Sequence, residues 1–267
     1  VSTTLVGPSG TAGTGPSRIE AGRRRAVVWL VHRRLRAADV AIASYPRSGN
    51  TWLRFLLTEL LVGEADWRRM VETIPFVRKR WAQPPRLASG GGRLWKTHER
   101  YRPEYRRAIY LFRDPRAVLV SRWHYLSWLR GPRSLDELVE EMKSQPLQYG
   151  TWSEHVSGWL AASDRGSVEL VALPFERSLA DPVPALRRCC GLLGVEREEA
   201  ELAAAASRTT KERVHAAERA ERPERFGGEG EGSGHARIGG VAWQEVLEER
   251  HLELLAPQVE LWESLIA

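Results

Sequence analysis

Cysteine is scarce in this sequence: two residues of 267, Cys189 and Cys190, adjacent in an apolar, helix-like stretch. That excludes a disulfide framework and any zinc site built from spaced thiolates, and it assigns both thiols to the core of a chain in a reducing compartment. Long apolar runs are missing too. The segment GRRRAVVWLVHRR, residues 22–34, has basic flanks around a six-residue apolar centre. That is shorter than a secretory core and far below a membrane span, so it is expected to form a cytoplasmic surface helix. No His, Cys, Asp or Glu cluster has metal-ligand spacing, and no metal is expected. The glycines of FGGEGEGSGH, residues 226–235, follow no strand and are interrupted by Glu229 and Glu231, which repel phosphate. They are read as a flexible loop rather than a phosphate loop.

What is present is basic and apolar. Lys and Arg number 40 against 34 Asp and Glu, and the net charge of +6 favours anionic ligands without demanding nucleic acid. The Arg- and Ala-rich composition fits a bacterial source. An apolar content of 42% is enough for the core of one large domain. Residues 1–20, rich in Gly, Ser, Thr and Pro, read as a disordered tail, which leaves 21–267 as a single domain. Strands are expected at 39–44, 93–96, 108–112 and 168–173, with helices from Thr51, from Pro115 and over 151–162. Asp181 before Pro182 is an N-cap signal opening a helix through Leu193. The segment through Pro75, Pro84 and Pro85 reads as loop. Strands alternating with helices give an α/β class with a central parallel sheet flanked by helices.

The chemistry concentrates in three stretches. In ASYPRSGNTWLRFLL, residues 43–57, Trp52, Leu53, Leu56, Leu57, Leu60 and Leu61 repeat at helical spacing. The helix therefore starts near Asn50 or Thr51, with its first amides turned back into the loop. Arg47, Ser48, Gly49 and Thr51 suit an anion there, and an ordinary capped turn uses the same residue types. RLWKTHERY, residues 93–101, places Lys96 and His98 at a strand end. YLFRDPRAVLVSRWHY, residues 110–125, places Arg113 at another strand end with Ser121 eight residues on.

Together these stretches resemble the sulfotransferase family that uses 3′-phosphoadenylyl sulfate (PAPS). The first is similar to its phosphosulfate loop, with Arg47 in the usual lysine position. The second is similar to its K-T-H segment and the third to its 3′-phosphate segment. The resemblance implies a P-loop-like sulfotransferase fold, with His98 as general base and Lys96 and Arg47 as catalytic cations. It also implies a nucleotide site made of Arg47, Ser48, Gly49, Asn50, Thr51, Trp52, Arg113 and Ser121.

Further matches add Tyr149 in YGTWSEHVSGWL, with Trp152, His155 and Trp159 read as core, and Thr209 and Thr210 in SRTTKERV. Lys211 stands there in place of the family's stacking aromatic. HARIGGVAWQEVL adds Arg237, Ile238 and Gly239, with Ile238 replacing a lysine. The implied co-substrate is PAPS and the implied product adenosine 3′,5′-bisphosphate (PAP). The implied acceptor is a small-molecule hydroxyl, aromatic or lipidic, with residues 64–92 and 126–148 lining or covering its pocket and supplying Trp67, Phe76, Trp81 and Trp128, beside Trp123 and Tyr125 just before the second stretch. Neither nucleic acid nor a membrane span is implied. Two other readings use the same residues: a non-catalytic nucleotide- or anion-binding regulator in which His98 is dispensable, and a P-loop kinase. The kinase requires lysine after the last loop glycine, where this chain has Asn50.

Overall fold

Residues Val40–Ser44 are buried along their whole length, as the middle strand of a sheet covered on both faces must be. The computed structural model describes residues 32–79, 82–144, 149–221 and 242–267. The elements in order are β1 (Val40–Ser44), α1 (Asn50–Val62), α2 (Trp67–Thr73), β2 (Arg86–Ala88), β3 (Gly92–Thr97), β4 (Arg107–Phe112), α3 (Pro115–Arg130), α4 (Leu135–Ser144), α5 (Trp152–Asp164) and β5 (Glu169–Pro174). There follow α6 (Phe175–Ala180), α7 (Pro182–Leu193), α8 (Glu199–Arg208), α9 (Lys211–Glu221), α10 (Trp243–Val246) and α11 (Glu249–Ile266).

The sheet order is β2-β3-β1-β4-β5. β1 runs parallel to β3 and β4, and β4 parallel to β5, whereas the three-residue β2 is antiparallel to β3. The parallel sheet expected from the sequence is thus extended by one antiparallel edge strand, too short for its pattern to be read. Alternation along β1 assigns its two faces. Val40 and Ile42 join a core with α1, α2, α7 and α8, while Ala41 and Ala43 join Tyr110, Trp152, Val156 and Trp159 on the other side. Both cysteines are buried in the first core, where burial pushes the Cys189 thiol far up, and neither is a reactive group.

The chain leaves β1 for β3 on one side and reaches β4 on the other. The strand order therefore reverses at β1, and the crevice beyond the carboxyl ends of β3, β1 and β4 is where ligands enter such sheets. The loop read through residues 75–85 is preceded by α2, capped by Asp66, whose carboxylate accepts from the Arg69 amide at 2.6 Å. The tail, residues 22–31 of the 22–34 segment, the 226–235 glycines and Arg237, Ile238 and Gly239 all lie outside the described residues, as does Trp81. Among the described residues no helix is long and apolar enough to cross a membrane.

Candidate functional site

Beyond the ends of the parallel strands lies a cavity of about 970 Å³. That is at the upper end of the ~300–1,000 Å³ usual for ligand sites. Each parallel strand delivers residues to it: Arg47 after β1, Lys96 and His98 from the end of β3, Arg113 after β4, and Phe175 with Glu176 after β5.

The turn from β1 into α1 contains two left-handed residues, Arg47 at φ 73° and Gly49 at φ 89°. Gly49 is the N-cap of α1, and no side chain caps that helix, so the first amides of α1 are left for another acceptor. Alternating left-handed residues also curl the backbone N–H groups inward, a geometry that holds anions. Gly49 is required twice over. Its φ suits glycine, and an added Cβ would lie inside van der Waals contact of the Phe175 ring. Arg47 pays no such exemption; its left-handed backbone is held by Arg113, whose Nη1 donates to the Arg47 carbonyl at 3.1 Å.

The side chains of the loop divide into those facing the cavity and those facing the sheet. Arg47 Nε donates to Ser121 Oγ at 3.0 Å, and its guanidinium lies 4.8 Å over the Tyr125 ring. The two residues assigned from the sequence to opposite phosphates are therefore joined to each other here. Thr51 and Trp52 line the cavity, and Trp52 meets Phe175 edge-on at 5.8 Å. Ser48 is buried and its hydroxyl has no partner among the described residues. Asn50 turns its amide nitrogen to the Ile42 carbonyl and Ser44 Oγ, each at 3.1 Å, so its side chain anchors the strand end.

Lys96 and His98 are two apart on β3 and share a face. His98 Nδ1 lies 2.9 Å from the Ser44 carbonyl. A carbonyl only accepts, so Nδ1 carries the proton and Nε2 keeps its lone pair. Burial, with the Lys96 charge nearby, holds the imidazole well below its usual pKa, so the ring is neutral near pH 7. Its backbone is fixed in turn by His155, whose Nε2 is 3.1 Å from the His98 carbonyl and whose Nδ1 receives the Tyr110 hydroxyl at 2.7 Å. Lys96 is brought down to about 7 by burial first and then by Arg54, Arg47 and Lys79. Its ammonium has no ion pair among the described residues and sits 5.6 Å over Phe76. A cluster of cations facing one cavity is a charge distribution that a phosphate or sulfate ester suits.

On the β4 side, Arg113 also lies 3.7 Å from Glu176 and over Phe175, and Trp152 Nε1 donates to its carbonyl. Burial pushes the Glu176 carboxyl up. Tyr149 lines the cavity with its ring 6.2 Å from that of His98. Thr209 and Thr210 do not line it: Thr209 bonds the Ala205 carbonyl and accepts Trp52 Nε1 on its own carbonyl, and Thr210 caps the Arg213 amide. Lys211 and Glu212 take that wall instead.

Of residues 64–92 and 126–148, expected to line or cover the acceptor pocket, Leu126 lines the cavity among the described residues. Trp67 is buried against Phe55 in the core, and Trp123 donates to the Arg133 carbonyl. Tyr125 does line the cavity. Sequence reasoning missed Phe175 and Glu176, which a strand-end rule applied to β5 would have found, and Arg122, next to the assigned Ser121.

A model of the sulfotransferase domain matches residues 37–255. Human sulfotransferase 2A1 is 29% identical over 182 residues, 63% of this chain and 63% of that protein. Human sulfotransferase 2B1 is 27% identical over 176 residues, 60% of this chain and 47% of that protein. The matches thus span from about half to just under two thirds of these relatives. The same fold occurs in mouse sulfotransferase SULT7A1 complexed with PAP, with a TM-score of 0.61 at 18% identity over 86% of this chain and 87% of that one. It occurs also in a retinol dehydratase in complex with androsterone and PAP, with a TM-score of 0.63 at 20% identity over 90% and 84%. With the domain model covering most of its length and the strand-end site in place, this chain belongs to the sulfotransferase domain family.

Proposed function

We propose that the chain is a PAPS-dependent sulfotransferase that sulfates a hydroxyl group of a small molecule. The observation that carries this reading is His98, a neutral imidazole whose tautomer is set by Ser44 and whose Nε2 opens on the cavity shared with the uncapped end of α1. The residues fit the co-substrate. The α1 amides, Arg47 and Lys96 suit its phosphosulfate, Arg113 and Ser121 its 3′-phosphate, and Trp52 with Phe175 its base.

When bound, PAPS supplies the sulfuryl group and a phosphate leaving group. His98 Nε2 takes the proton of the acceptor hydroxyl as its oxygen attacks sulfur. Arg47 and Lys96 stabilise the negative charge that grows on the departing phosphate oxygen, and the α1 amides hold it in place. The neutral state of His98 at pH 7 is the state a base requires. The acceptor side, with Tyr125, Leu126 and Tyr149, suits an aromatic or apolar body.

The test is transfer of labelled sulfuryl from PAPS by wild type and His98→Ala. The variant should lose ~10²–10⁴ in turnover with PAP affinity nearly unchanged. Near-normal turnover in the variant, or phosphate transfer from ATP, would overturn the reading.

A further inference from the structure

Among the residues lining the cavity, Arg122 has an environment that the donor chemistry does not use. It projects from α3 beside Tyr125 and Leu126, three and four residues on, and these share its face of the helix. Its guanidinium forms no ion pair or hydrogen bond among the described residues, and its Nε is buried without an acceptor. Burial lowers its pKa. A planar group with five N–H donors has been placed in a cavity wall with no acceptor among the described residues.

Among the described residues, the carboxylate that acts on Arg122, Glu141, and those that line the cavity, Asp114, Glu176 and Glu212, are already engaged. Glu141 is held by Arg133 at 2.5 Å and by Arg130 at 3.1 Å. Asp114 is gripped by Arg116, Glu176 lies against Arg113, and Glu212 answers to Thr210 and Lys211. Arg122 also acts electrostatically on Tyr45, whose hydroxyl donates to the Gly150 carbonyl next to Tyr149. Tyr149 in turn faces His98. The arginine is therefore associated with the Tyr45, Tyr149 and His98 side of the cavity, where a hydroxyl approaching the base would lie.

We infer that Arg122 selects an acidic acceptor, a hydroxyl compound whose carboxylate or phosphate it binds while the hydroxyl lies at His98. The inference rests on the sulfotransferase reading, in which the donor phosphates occupy Arg47, Lys96 and Arg113 and leave this guanidinium over. Arginine is suited to the task because its fork matches both oxygens of a carboxylate or phosphate.

The experiment is calorimetric titration of matched probes into protein saturated with PAP. One pair is 3-(4-hydroxyphenyl)propanoate and its amide; a second is a long-chain hydroxy acid and its amide; a third is a hydroxyaryl phosphate and its neutral dimethyl triester. At least one pair should show a preference for the acid of ~10-fold or more in wild type, as expected for hydrogen bonds to a charged group. The ratio should fall to near one in Arg122→Gln and be partly kept in Arg122→Lys, with thermal unfolding reporting that both variants fold. Which pair responds separates carboxylate from phosphate. No preference in any pair, or a preference that survives Arg122→Gln, overturns the inference. If PAP itself does not bind, the sulfotransferase reading fails, and the same titrations on the nucleotide-free protein still decide whether Arg122 takes an oxyanion.

Discussion

Two turns leave neighbouring strands at the same edge of the sheet, one from β1 into α1 and one from β4 into α3, and they end in opposite ways. At α3 the cap is complete: Asp114 accepts the Arg116 amide at 2.9 Å, and Pro115 at the first helical position has no N–H to satisfy. At α1 the cap is Gly49, which offers no side chain, and the following amides stay open. Both turns carry an arginine, but Arg113 spends a hydrogen bond on the backbone of the other turn. A helix start is thus left open to an acceptor by withholding a cap, and the closed turn serves as a brace for the open one.

The sharpest way to break this contrast is to remove the freedom of the open turn. Gly49→Ala combines a strained φ with a collision against Phe175, and should cost about 2–5 kcal/mol of stability together with most PAP affinity. Thermal unfolding and calorimetry measure the two, and a variant that keeps both would show that the turn is not held as described.

The charge at the open turn gives a second, smaller effect. With Lys96 at about 7 in the free protein, nucleotide phosphates should raise its pKa, so that PAP binding near pH 8.5 takes up to about one proton and weakens as pH rises above 7. Lys96→Met should abolish the uptake, as read from titrations in buffers of different ionisation heat. The sign for folding is the reverse of a stabilising pair. The unfolded chain holds the Lys96 proton up to the ordinary lysine pKa, so this residue makes stability rise with pH from about 7 to that value. Uptake unchanged in Lys96→Met would assign the proton elsewhere.

The smallest effect belongs to the closed turn. Asp114→Ala removes a helix cap and should lower stability by about 1 kcal/mol without weakening PAP. A loss of nucleotide affinity to match that of Gly49→Ala would erase the distinction between the turns.

Much of this was legible because it is local. The apolar period after Gly49, the Asp181–Pro182 pair that caps α7, and Lys96 with His98 two apart on a strand are all short-range patterns, and the structure places them within a residue or two of expectation. What was not legible depends on distant partners or on weak patterns. β2 has three residues and a pairing set by β3. α2 hides between a glycine and a proline, and its one cue is Asp66. The sequence places Trp67 as readily in a pocket as in the core, and contact with Phe55 decides it. Thr209 and Thr210 have the residue types of a phosphate site, but the helix ends on either side take their hydroxyls. Arg122 stands out only when the described carboxylates around the cavity are seen to be taken.

Glu59, buried near the end of α1, has a consequence for the opposite wall. Burial works to push its carboxyl up, yet the Ala65 amide at 2.8 Å and Arg208 at 2.5 Å hold it below the usual range. Trp52 makes a second link from α1, through Nε1 to the Thr209 carbonyl at 3.3 Å. The helix that presents the open turn is therefore bolted at two points to the junction of α8 and α9, from which Lys211 and Glu212 reach the cavity. The gap between them is a calliper held by these two links, so a ligand of matching thickness should enter at little cost in ordering the protein.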